Sequence, residues 1–118
     1  MAFRFEELKV WTRALELSNQ TDFLARSFPK IEIYSLASQI KRAADSVVLN
    51  IAEGSTGQSI PEFKRFLGIS LRSAIEVVAC LFIAKSRAYC NEETFQLLYS
   101  EYEILCKMIT KLRDSLGK

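Results

Sequence analysis

Residues Tyr34 to Gly54 read YSLASQIKRAADSVVLNIAEG. Leu36, Ile40, Ala43, Val47 and Ile51 recur at steps of three and four, which lays one apolar stripe along a helix. Ser35, Gln39, Arg42, Ser46, Asn50 and Glu53 recur at the same steps and form a polar stripe beside it. A third side carries Ala37, Ala44 and Val48, mostly small, which allows another helix to come close. Gly54 stands where a left-handed residue commonly ends a helix. Solvated helix faces usually carry long flexible charges, whereas this stripe mixes Gln, Arg, Ser, Asn and Glu. Two readings fit it: a solvated face, or a hydrogen-bond network that is buried or sits at an interface.

The flanking chain supplies three more helices. The expected bounds are about 6–27, 34–53, 60–88 and 92–116. The first has a wide apolar stripe, with Leu8, Trp11, Leu15 and Ser18 on one edge and Val10, Leu17 and Leu24 on another. Such width suits a bundle helix with several neighbours. Phe3 and Phe5 precede it and are expected to cover one end of the core. Phe28-Pro29 ends it, because proline disfavours a helical residue before it. Pro29 to Glu32 is then a tight connection to an antiparallel neighbour.

After the loop Ser55-Thr56-Gly57-Gln58, Ser59 with Glu62 has capping-box spacing and Pro61 falls in the tolerated first turn. The third helix has a core face of Phe63, Phe66, Leu67, Ser70, Ala74, Val77, Leu81 and Ala88. Its far side begins with Lys64, Arg65, Gly68 and Arg72 and turns apolar at Ile75, Ala79, Phe82 and Ile83. A helix apolar on both sides is buried on both sides. A lone bundle does not easily achieve that, so these four residues are the candidate subunit interface. Cover from the N-terminal aromatic arm, or a misread register, is the other explanation. Asn91 is placed to cap the fourth helix. Phe95, Leu98, Tyr102, Leu105, Ile109, Leu112 and Leu116 then form a heptad-like seam, the geometry of left-handed bundles. Four helices and three short loops predict an all-α, antiparallel up-down-up-down four-helix bundle, one domain over 1–118.

Composition narrows the function. The chain has 118 residues, a formal net charge of +2, three cysteines and no histidine. The missing histidine removes Ser-His-Asp and Cys-His catalysis and the usual general base. Cys80, Cys90 and Cys106 make no CxxC pair, so a zinc site is not expected. Glu53 and Glu76 are carboxylates with no Glu-x-x-His partner, a weak metal signal. The structural reading places Gln39, Arg42, Ser46, Asn50, Glu53 and Glu76 in a polar network that fixes helix register. The chain is read as non-enzymatic, with no cofactor and no metal. It shows no run of about 18 apolar residues and opens without a signal peptide's apolar run, so a cytoplasmic protein without a membrane span is expected.

Several segments in order resemble a known bacterial family. They are Phe5-Glu6-Glu7-Leu8-Lys9-Val10-Trp11, Phe28-Pro29, Leu36 with Ser38-Gln39, Arg42-Ala43, Ser46, Asn50-Ile51-Ala52-Glu53-Gly54, Glu62-Phe63, Arg65-Phe66-Leu67, and Ser73 with Glu76. The family is that of four-helix-bundle proteins first named for reading frames in intervening sequences of large-subunit ribosomal RNA, often labelled ribosomal proteins. The accessory protein of diversity-generating retroelements is a relative. The resemblance covers Phe5 to Glu76. It implies a four-helix bundle assembled as a ring-like homopentamer. For the retroelement relatives it also implies a basic assembly that binds nucleic acid beside a reverse transcriptase. This chain departs at Ser55 to Gln58, an uncharged loop where members often carry Arg, and at Arg72, where many have Gly. The nucleic-acid candidates are Lys64, Arg65 and Arg72 on the third helix and Lys107, Lys111 and Arg113 on the fourth. Repetition around a ring would sum their phosphate contacts. The alternative is a scaffold that docks a protein partner and binds no nucleic acid itself.

Overall fold

The computed structural model describes residues 2–117. Its elements, in order, are a 3-10 turn Arg4–Glu7, α1 Lys9–Arg26, a 3-10 turn Lys30–Glu32, α2 Leu36–Gly54, α3 Ile60–Ser86 and α4 Glu92–Ser115. No strand occurs among the described residues. Each helix packs against its chain neighbours, and α1 closes the ring against α4. The result is an antiparallel four-helix bundle, 43 × 22 × 22 Å.

The expected stripes meet in one core. Val10, Ala14, Leu17 and Leu24 of α1 face Ile40, Ala43, Val47 and Ile51 of α2, with Phe63, Leu67, Val77 and Leu81 of α3 and Phe95, Leu98, Tyr102, Leu105 and Ile109 of α4. Removing side chains of this size from water is the main stabilising term, about 1.5–3 kcal/mol for each large one. Leu15, expected on the core edge of α1, is instead exposed. A polar pair sits inside the core: Thr21 and Tyr102, both almost wholly buried, share a hydrogen bond of 2.7 Å across the α1–α4 seam. Both hydroxyls reach the Leu17 carbonyl, Thr21 Oγ1 at 2.7 Å and Tyr102 Oη at 3.4 Å, so the three groups form one buried hydrogen-bonded cluster. Burial pushes the Tyr102 phenol up to about 12.

Helix ends follow local chemistry. Ser59 Oγ accepts from the Glu62 amide at 3.2 Å, and Asn91 Oδ1 accepts from the Thr94 amide at 2.7 Å. Both are the caps expected from sequence. Four expectations are corrected. Glu6 to Leu8 do not belong to α1: Leu8 is extended and the segment before it is a 3-10 turn, with the Phe3 amide bound to Glu6 Oε2 at 3.0 Å. Helix α2 starts at Leu36 rather than Tyr34, after a second 3-10 turn. Gly54 does not end α2 in a left-handed conformation. It is helical and buried, and a Cβ there would lie 2.8 Å from Phe66 Cβ and 3.0 Å from a Phe63 ring carbon. It is glycine so that α3 can approach. Ala88 is not on the core face of α3. It has φ 61°, and the Tyr89 amide bonds back to the Ala84 carbonyl at 2.8 Å while the Ala88 amide bonds to Lys85. This is a Schellman ending built on alanine in place of the usual glycine.

By length and composition α3 is long and apolar enough to cross a membrane. Arg72 and Glu76, with Gly68, Ser70 and Ser73, interrupt its apolar residues without bringing the average down far. A bundle's core helix meets the same test, and one face of α3 is buried on α2 and α4. The first and last described segments both reach the first turn of α3: Arg4 lies 5.2 Å from the Phe63 ring centre, and Lys64 Nζ donates to the Gly117 carbonyl.

Candidate functional site

The polar stripe of α2 lies along α3 and splits into three parts. In the middle, Ser46 and Ser73 hydroxyls share a hydrogen bond of 2.8 Å. Asn50 Nδ2 donates to the Ser46 carbonyl at 2.8 Å and to Ser46 Oγ at 3.0 Å. Ser70, fully buried, donates to the Val47 carbonyl at 2.8 Å. The Ser46–Ser73 and Ser70–Val47 bonds cross α2–α3 where small residues bring the helices close, and they resist sliding of one helix along the other, while Asn50 holds Ser46 from within α2. Nearer the start of α2, Gln39 Nε2 reaches Glu76 Oε2 at 3.3 Å on the surface. Arg42 is exposed and lines the same open hollow of about 560 Å³, together with Tyr34, Ser38 and Ser46. Glu53 lies apart, at the other end of α2, beside a hollow it shares with the arm residues Phe3 and Phe5. The geometry thus joins Gln39 to Glu76 and Ser46 to Asn50, adds Ser70 and Ser73, and leaves Arg42 and Glu53 outside. Sequence placed Ser70 on the core face of α3 and Ser73 among the family motifs, but a Ser on a helix face does not announce its hydrogen-bond partner.

The apolar face of α3 is open. Ile75 is 57% exposed, Phe82 52% and Ile83 37%, with Ala79 exposed between them. The N-terminal arm does not cover them. Phe5 packs on Trp11 at 4.7 Å between ring centres, at the end of the bundle near the start of α1. Phe82 leans its edge on Phe95 at 4.9 Å and on Tyr99 at 6.1 Å, so one side of its ring is held while the rest meets solvent.

The six basic candidates are not one patch. Lys64 and Arg113 converge where the start of α3 meets the end of α4. Lys64 reaches the Gly117 carbonyl, and Arg113 Nη1 lies 4.0 Å from where a Cβ on Gly68 would stand. Arg65 Nε is held by Glu62 at 2.8 Å, and its guanidinium lies 4.6 Å from the Phe66 ring centre. Arg72 is exposed on α3. Lys107 and Lys111 are exposed on α4 and edge a shallow hollow shared with Glu103 and Asp114. Residues 6–111 match the family model of the 23S rRNA-intervening sequence protein.

The chain belongs to the 23S rRNA-intervening sequence protein family. The match extends well past Glu76, where the resemblance in local motifs ended, and takes in nearly all of α4. A crystal structure at 1.70 Å of a protein of unknown function from the S23 ribosomal protein family of Bacteroides thetaiotaomicron has the same fold. Its TM-score to this chain is 0.83 at 22% identity, covering 89% of this chain and 98% of that one. No curated protein matches this chain.

Three further features of the chain bear on chemistry. Among the described residues, no three Cys, Asp or Glu side chains come together as a metal site. The Cys80 thiol is pushed up to about 11 by burial, and burial also raises Cys90 and Cys106, so none is an activated thiolate at neutral pH. The tightest carboxylate cluster is one that sequence reading missed. Glu32 is buried and accepts from Ser35 Oγ at 2.6 Å, Tyr89 Oη at 2.8 Å, Arg87 Nη1 at 2.9 Å and the Leu36 amide at 3.3 Å. The Ser35 and Tyr89 hydroxyls, with the Leu36 amide and the Arg87 charge, lower its carboxyl to about 2. It ties the start of α2 to the loop after α3. Arg87 and Tyr89 lie more than fifty residues away in sequence, so nothing in Lys30-Ile31-Glu32 announces the role.

Proposed function

We propose that this protein is a non-enzymatic accessory protein that assembles with copies of itself and binds the backbone of nucleic acid. The open apolar face of α3 carries the assembly half of the reading. Ile75, Ala79, Phe82 and Ile83 form one strip of a helix, and desolvating such a strip favours association. The family resemblance favours a pentameric ring. In a ring, the modest basic groups of one subunit are repeated, and phosphate contacts at Lys64, Arg113, Lys107 and Lys111 add. Contacts of this kind position a nucleic acid without reading its bases. The working compartment on this reading is the cytoplasm, and no membrane is involved.

The test is binding of the purified protein to labelled RNA and DNA at two salt concentrations. The expected outcome is tight binding at low salt that weakens steeply as salt rises. Replacing Lys107 and Lys111 together with Ala is expected to reduce the salt slope by about two. Absence of binding at low salt would overturn the nucleic-acid half.

A second reading, a scaffold for a protein partner, draws on the α1–α4 seam. There Phe23, 80% exposed, and Leu97 border an apolar hollow of about 650 Å³. Co-purification of one stoichiometric protein, lost on Phe23→Glu, with no affinity for nucleic acid, would favour it.

A further inference from the structure

Tyr34 is 95% exposed. It stands at the corner where the 3-10 turn Lys30–Glu32 leads into α2, and Ile31 and Ile33 are exposed around it. A large aromatic ring in open water is unusual unless something covers it. Beneath it runs a trough. A hollow of about 570 Å³ between the end of α1 and the start of α2 is lined by Tyr34, Ser38, Arg26, Lys30, Lys41 and Arg42. Tyr34, Ser38 and Arg42 also line the neighbouring hollow toward α3, so this row of α2 borders a hollow on either side. Arg26 and Lys41 share Asp22 at 2.9 and 3.2 Å, while Lys30 and Arg42 make no ion pair among the described residues. Asp45 lines the trough too, but it accepts from the buried Ser18 hydroxyl at 2.7 Å.

We infer that this trough is a binding site for single-stranded nucleic acid, with one base stacked on Tyr34 and the neighbouring phosphates on Lys30 and Arg42. The inference rests on the nucleic-acid reading above but places contact at the opposite end of the bundle from Lys64 and Arg113. Stacking on a side chain needs a base freed from its neighbours, which a single strand offers and a duplex withholds. An exposed ring beside unpaired cations is the arrangement that sequence-tolerant single-strand binders use.

The experiment measures anisotropy of fluorescein-labelled oligouridine, oligothymidine and the matching duplex with the full-length protein, beside Tyr34→Ala, Tyr34→Phe and Arg42→Gln. Tyr34→Ala is expected to bind single strands about tenfold more weakly, with little change for duplex. Tyr34→Phe keeps the ring and is expected to bind as the parent does. Arg42→Gln is expected to weaken binding and lower the salt slope by about one. The RNA and DNA arms decide which strand is preferred. If the parent binds no oligonucleotide at low salt, both this site and the broader reading fall. If the parent binds but Tyr34→Ala is unchanged, only this site falls. Two further outcomes would also overturn it: a changed molar mass for Tyr34→Ala, which would make the ring a subunit contact, or binding to anionic vesicles in place of oligonucleotides.

Discussion

Two single positions carry opposite backbone demands. Gly54 is the last residue of α2, set against Phe66 and Phe63 with no room for a methyl group. Alanine is favoured over glycine by at most about 1 kcal/mol in a helix, less at its last residue, but overpacking a close crossing costs about 1–3 kcal/mol. Crowding against a backbone-near Cβ wins, so Gly54→Ala is expected to lower the melting temperature. Ala88 is the reverse case. It holds a left-handed φ of 61° in open surroundings. That conformation costs an L-residue about 1–2 kcal/mol, part of which glycine returns as unfolded-state entropy. Ala88→Gly is expected to stabilise by roughly 0.5–1 kcal/mol in urea melts. Glu32 is the third position. Its carboxyl, ordinarily near 4.5, is held at about 2 in the fold. A depressed carboxylate contributes stability above its unfolded value and loses it as pH falls through the folded one. Stability should therefore fall between about pH 4.5 and 2, and Glu32→Gln should be less stable at neutral pH yet flatter across that window. Thermal melts of both proteins along the pH series check this.

At the level of elements, what sequence reveals is what repeats locally. The seam of α4 could be read directly, because Phe95, Leu98, Tyr102, Leu105 and Ile109 each return to the same face and all five are buried. The caps Ser59 and Asn91 were legible for the same reason, since donor and acceptor lie three residues apart. Gly54 was misread because a glycine after a helical pattern looks the same whether it turns the chain or admits a neighbour. The distinction depends on Phe63 and Phe66, which belong to another helix. The candidate sites divide likewise. The spacing of Ile75, Ala79, Phe82 and Ile83 on one strip was visible in one dimension, and so was the polar stripe of α2. That Asn50 turns back on Ser46, that Ser73 joins them and that Glu53 does not depends on how α2 crosses α3. The trough under Tyr34 was hidden because its cations come from α1, a turn and α2.

For the whole molecule, the exposed strip on α3 sets the expected state in solution. A charge placed in a desolvated contact loses its hydration without a partner. Phe82→Glu is therefore expected to convert a larger assembly to monomer in light scattering, and an unchanged mass would exclude this strip as the interface. The variant should still fold, because Phe82 is half exposed and its loss leaves the buried core residues of α3 in place.

That Arg4 and Gly117 both reach the first turn of α3 has a topological consequence. Segments that lie at the same end of a bundle can be joined by a linker without moving any helix. A short Gly-Ser linker from Gly117 to Ala2 would close the backbone into a loop, which could then be cut anew at Gly57, where a Cβ would find nothing within 4 Å. Such a circular permutant would translate α3 and α4 first and α1 and α2 last. It is expected to reach the same bundle, with a far-UV spectrum matching the parent's, because every helix keeps the neighbours it packs on.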